Sequence, residues 1–165
     1  MKCVDYIAME LQASNGWIFG LIADMQDEPF TAPTPNGGNH PLWVLGHLVF
    51  SEARMVNVFM KGQENPLEDW TDNFGIGSTP TDNANQYPTF AELLAKFEEV
   101  RAETLAFLAT LSDADLDKPS HAPEEYKDFF GTIGQCFATL NLHIGFHGGQ
   151  VADARRAAGR EALMV

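Results

Sequence analysis

Two histidines four residues apart stand in the stretch Asn141-Leu142-His143-Ile144-Gly145-Phe146-His147-Gly148-Gly149-Gln150. On a helix that spacing puts both imidazoles on one face, on successive turns, where they can share one metal ion. Two nitrogens seldom suffice, because a catalytic zinc site ordinarily has three protein ligands and keeps a position open for water or substrate. His47 is the best third candidate. It lies in Trp43-Val44-Leu45-Gly46-His47-Leu48-Val49-Phe50, a stretch so apolar that it must be largely buried, and a buried histidine needs a partner.

The other candidates are weaker. His40 falls at a helix start and His121 in a proline-flanked loop, where surface exposure accounts for both. Cys136 shares a helical face with His143 but lies seven residues before it, about 10 Å along the axis, too far to share an ion with His147. It reads as a small buried core residue. Glu52 is off the face of His47, whereas Arg54 returns to it two turns along. Arg54 could meet an anionic substrate at a pocket mouth, although a surface ion pair is the simpler role. Gln150, three residues past His147, can hydrogen-bond a metal-bound water or a group just behind the ligands. Asn141 is a poorer helper, since it points about 160° away from His143.

A plainer reading of His143 and His147 stays open: half-buried helix histidines satisfied by backbone or carboxylate partners. Gly145, Gly148 and Gly149 weigh against it. Three glycines cost about 3 kcal/mol in a helix interior and ask for the close approach of another backbone or of a ligand. No nucleophile elbow, phosphate loop or dinucleotide fingerprint accompanies these residues.

Four segments of helical periodicity must position them. The first runs from about Val4 to Asp27, with Ile7, Leu11, Ile18, Leu21, Ile22 and Met25 as its apolar stripe; Gly16 and Gly20 interrupt it and suggest close helix contacts. Residues 28–39 hold three prolines and two glycines and form a loop. The second helix begins at Pro41, capped by Asn39 or His40, and ends near Gly62. Residues 62–88 lack Lys and Arg and read as a long acidic loop, in which Trp70, Phe74 and Tyr87 favour a packed lid or interface over a free tether. Thr89 with Glu92 forms a capping box opening the third helix, which continues to about Leu111. A connector with a short turn at Asp113–Leu116 follows, and the fourth helix runs from about Phe129 or Thr132 to Ala158, closed by Gly159. With no stretch fit for a sheet, the expected fold is an all-α four-helix bundle with long crossover loops.

Length and composition narrow the function classes. The 165 residues suit one domain spanning 1–165. The 23 acidic against 10 basic side chains give a net charge of -13, which repels phosphate backbones and anionic membrane surfaces. Neither nucleic acid nor a membrane is therefore an expected partner. Two distant cysteines, Cys3 and Cys136, make no disulfide framework. Asp5 and Glu10 interrupt the N-terminal stretch where a signal peptide would be apolar, so a cytoplasmic location is expected.

The order and separation of Leu45-Gly46-His47-Leu48, of His143-x-x-x-His147-x-Gly149-Gln150, and of a tail with Arg155, Arg156 and Arg160 resemble the DinB/YfiT-like superfamily, over essentially the whole chain. The resemblance implies a four-helix bundle of unusual crossover connectivity, often a homodimer, with a divalent metal such as zinc or nickel held by His47, His143 and His147. It also implies a small-molecule substrate, with a low-molecular-weight thiol as cosubstrate in S-transfer or maleylpyruvate isomerisation, or else metal-dependent hydrolysis. At such a site a bound water is acidified, or a thiol binds as the thiolate. The competing reading is a noncatalytic metal- or small-molecule-binding bundle with a relic site. A dimer could use helix surface such as that carrying Trp17 and Phe19, which core packing explains equally well. Though the family is named for damage-inducible expression, the acidic chain gives no physical support for DNA contact.

Overall fold

The computed structural model describes residues 1–163. Four long helices dominate it: α1 (Cys3–Ala23), α2 (Pro41–Arg54), α3 (Phe90–Leu108) and α4 (Ile133–Ala157). No strand occurs among the described residues, so the fold is all-α as the periodicity implied. Each well-marked start has its physical cause. Pro41 supplies a first-turn residue with no N–H to satisfy, and the His40 side chain accepts from the Trp43 N–H at 3.1 Å. Thr89 with Glu92, and Thr132 with Gln135, close reciprocal capping boxes at the starts of α3 and α4. Phe129 belongs instead to a separate turn, Lys127–Phe130.

Beyond Arg54, α2 continues as a π-helical turn, Met55–Met60. Gly62 ends it at φ 67°, a left-handed conformation that glycine adopts without a Cβ penalty. The first helix stops four residues short of the expected Asp27, and no neighbour lies within 4 Å of a Cβ built at Gly16 or Gly20. Close helix contact is therefore not the reason for those two glycines.

Contacts between helices define their directions. Along α1 and α4, Asn141 meets Glu10, Gly148 meets Ile18 and Arg155 meets Asp24, so the two helices run parallel. Along α2 and α3, His40 lies near Tyr87 and Glu52 pairs with Arg101, which makes them parallel as well. His47 against His147 and Phe59 against Phe130 set α2 antiparallel to α4. The order is thus up, down, down, up. Two consecutive parallel helices oblige the chain between them to travel back along the bundle, and this explains the length of the segment after Gly62. That segment is not a bare loop. It contains three short helical turns, Glu68–Trp70, Thr71–Phe74 and Ala84–Gln86, and it buries Phe74 completely and Tyr87 nearly so.

One polar knot lies inside the apolar core. The Arg101 guanidinium grips both oxygens of Glu52, through Nε at 2.8 Å and Nη2 at 2.7 Å, while Nη1 donates to the Leu11 carbonyl at 2.7 Å. Both side chains are almost fully buried, and three helices meet there. Such a pair stabilises only while complete, because loss of one member strands the other charge in the core. Glu52→Ala is expected to lower the unfolding free energy by about 3–5 kcal/mol in urea titration. Replacing both residues with apolar ones of similar size should restore most of the loss, and a negligible effect of the single change would contradict this role.

Candidate metal centre

His47, His143 and His147 meet between α2 and α4, with one ring nitrogen from each within 4.8 Å of the others. The ring centroids are 5.0, 4.7 and 4.6 Å apart pairwise. A carbonyl can only accept, so the 2.7 Å contact from His47 Nδ1 to the Phe74 oxygen puts the proton on Nδ1 and leaves the Nε2 lone pair free. The amide oxygen of Gln150 does the same for His147, accepting from Nδ1 at 2.8 Å. Asn39 Nδ2 donates to that same oxygen at 3.1 Å, which holds the amide in the orientation His147 needs. Gln150 therefore stands behind a ring, orienting it.

The His47 Nε2 atom is 3.1 Å from His143 Nε2. Two nitrogens bound to one ion at about 2.0–2.1 Å lie roughly 2.9–3.4 Å apart for angles between octahedral and tetrahedral, so the observed separation fits a shared ion. The donor set fits too. Three imidazoles, two of them with the outer nitrogen already donating to an oxygen, are the usual surroundings of zinc, nickel or copper. His143 differs in that its buried Nδ1 has no partner among the described residues.

Burial pushes all three histidines toward neutrality. Desolvation is the largest cause in each case; it brings His143, helped by its two neighbours, down to about 3 and His147, helped by His47, down to about 4. His47 is also lowered, against the opposing pull of its bond to Phe74. Neutral imidazoles near pH 7 keep the lone pairs that a cation requires.

The crossover segment builds the wall behind His47. The Phe74 ring packs against the α2 backbone at Gly46, where a Cβ would collide with it, so only glycine admits this approach. Trp43 stacks on His47 at 4.6 Å between centroids and 10° between planes, and its indole N–H donates to the Asn73 carbonyl at 2.9 Å. Two successive carbonyls, of residues 73 and 74, thus hold two successive turns of α2.

The remaining sequence candidates fall outside this cluster. His40 is buried rather than exposed: its ring caps α2 and donates from Nε2 to the Thr81 carbonyl at 2.9 Å. His121 is exposed beside Gly62. Cys136 is fully buried, and burial raises its thiol to about 11. Asn141 turns away and donates to Glu10 at 3.1 Å. Of the three α4 glycines, only Gly148 is closely approached, by Ile18, while Gly145 and Gly149 face open space. Asn39 was expected only as a candidate helix cap, and Trp43 and the Phe74 carbonyl were given no role at the site, although the lone glycine in an apolar helix and the aromatic in a polar loop were signals of a close approach.

Comparison with known proteins gives the family and the fold. A family model described as the DinB superfamily matches residues 17–151, a span that contains all three histidines. Among solved structures, a conserved protein from Enterococcus faecalis superposes with a TM-score of 0.69 at 15% identity, covering 97% of this chain and 99% of its own. At that identity the likeness is one of fold. No curated protein matches the sequence.

The lowered histidines make a pH prediction. In the unfolded chain they bind protons below about 6.5, while in the folded, metal-free protein His143 and His147 stay neutral to about 3 and 4. The unfolded state takes up more protons in that window, so stability falls as pH drops from about 6.5 toward 4. Metal-stripped protein should show this as a falling thermal midpoint, and His143→Gln should fall less steeply. Equal slopes would contradict the assignment.

Proposed function

The chain belongs to the DinB superfamily, and from that premise together with the histidine cluster we propose a metal-dependent enzyme in which His47, His143 and His147 hold a divalent ion, zinc or nickel. The reaction is thiol-dependent S-transfer or hydrolysis of a small molecule. Held by these three neutral imidazoles, a divalent ion would keep its full charge and would supply the acidification of a water or thiol. The observation that carries the reading is the pair of outer hydrogen bonds, from His47 to the Phe74 carbonyl and from His147 to Gln150. They fix the tautomers of His47 and His147 that leave the Nε2 lone pair of each ring available to a cation, which a merely structural cluster would have no need to do.

The residues divide the work. Phe74 and Trp43 hold the His47 ring in place, and Gln150 holds that of His147. The aromatic wall formed by Trp43 excludes water from one side of His47 and keeps the local dielectric low, which strengthens charge interactions there. We read the segment carrying Phe74 as a fixed strap supporting the site, because Phe74 is fully buried and hydrogen-bonded to the ligand helix through its carbonyl.

A homodimer and a reducing, cytoplasmic compartment complete the proposal. Both cysteines are free, Cys3 exposed and Cys136 buried, which suits such a compartment. Trp17 on α1 and Leu142 and Phe146 on α4 are 63%, 71% and 66% exposed on adjacent parallel helices, an apolar surface that a second copy would cover, whereas Phe19 belongs to the core. Light scattering is expected to give twice the chain mass, falling to one chain in Trp17→Glu; an unchanged monomer would remove this part of the reading. No helix among the described residues is long and apolar enough to cross a membrane.

For the reaction itself, zinc- or nickel-loaded protein should consume low-molecular-weight thiols with electrophiles, or hydrolyse small esters or amides, in a mass-spectrometric screen. His147→Ala should abolish turnover. Turnover that survives this change, or none across both substrate classes, would overturn the enzymatic assignment.

A further inference from the structure

Seven of the ten Lys and Arg side chains are ion-paired within the protein. Among the described residues Arg54 has no carboxylate within 4.0 Å, although the chain carries 23 acidic side chains. Its guanidinium is half-buried and lies over the Phe59 ring, 5.5 Å from the centroid. Among those residues Lys2 and Lys61 lack a carboxylate partner as well, so what distinguishes Arg54 is the apolar pocket beside it.

Arg54 lines an apolar pocket of about 80 Å³ together with Phe50, Ser51, Phe59, Tyr126 and Phe130. The pocket continues outward into a groove past Gly75 and Thr71, where Glu68 is the one carboxylate on the lining. Ser51 follows His47 by one helical turn, and Arg54 follows it by two, so His47, Ser51 and Arg54 line one face of α2 over about 10 Å. The crossover segment borders that face: Phe74 at His47 and Ile76 at the pocket. A molecule lying along this face would place an anionic group at Arg54, an apolar body against the aromatic side chains and its other end toward the histidines.

We infer that Arg54 is the anchor for the substrate of the proposed metal site, and that the substrate is a small carboxylate with an apolar body, about 10 Å long. The inference rests on that reading for the reacting end alone; the anchor and the pocket stand without an ion. Arginine suits the task, because its planar fork meets both oxygens of a carboxylate. The net charge of -13 does not forbid the approach, since at physiological salt charges beyond about 8 Å are largely screened.

The test uses 4-phenylbutanoate and its uncharged amide as probes, titrated calorimetrically into metal-stripped protein and into protein as purified. In both preparations the carboxylate should bind roughly tenfold or more tighter than the amide, as one charge-assisted contact allows. Arg54→Met, which keeps the aliphatic stem over Phe59, should erase that preference while leaving the amide affinity and the metal content unchanged. Equal binding of the two probes by the wild type would overturn the inference, as would a preference that survives Arg54→Met. A preference lost on removing the metal but not on changing Arg54 would place the carboxylate on the ion and would also overturn it. Since binding is read without turnover, a failed metal assignment and a failed anchor give different results.

Discussion

The contact between the crossover segment and α2 is the constraint on which the rest of this site depends. Because α2 and α3 run parallel, the chain joining them must return along the bundle, and it passes over α2 at Gly46 and His47. There the Phe74 ring occupies the space a side chain at residue 46 would take, while the Phe74 carbonyl accepts the His47 proton at 2.7 Å. A topological necessity thereby fixes the tautomer and orientation of one histidine. The same passage lets Asn73 hold Trp43, whose indole covers His47 from the other turn.

Charge is handled differently at the two polar places in the core. The Glu52–Arg101 pair is complete, bidentate and shared with the Leu11 carbonyl, so it binds three helices without leaving a group unsatisfied. The histidine cluster is neutral and incomplete, with its inner nitrogens facing one another and the His143 outer nitrogen unpartnered. A complete knot suits structure; a neutral, incomplete donor cluster suits a cation. Their separation on α2 follows from helical spacing, since Glu52 points away from the face that carries His47.

Much of this was legible in residue order. Capping boxes at Thr89–Glu92 and the proline at residue 41 marked helix starts because their signals are local, carried by side chains that satisfy nearby backbone groups. The i, i+4 spacing of His143 and His147 likewise needs only one helix. What escaped detection depended on chain segments distant in sequence. His40 was buried by Thr81, forty-one residues away, and the partner of Arg101 was a glutamate on another helix. The glycines pointed partly astray: Gly148 and Gly46 do admit close neighbours, whereas Gly16, Gly20, Gly145 and Gly149 do not, and composition cannot separate the two kinds. Packing of Phe74 was expected from an aromatic in a polar segment, but its seat at Gly46 was not, since such a ring packs equally well over any apolar surface within reach.

The central claim is that histidines from two helices form one divalent-metal site. Elemental analysis of untagged protein, comparing the wild type with His47→Ala and His143→Ala, tests it most directly. The account predicts near-stoichiometric zinc or nickel in the wild type and its loss in both variants, because neither helix alone supplies enough ligands. A wild type that binds no metal even after reconstitution, or variants that keep it in full, would contradict the account.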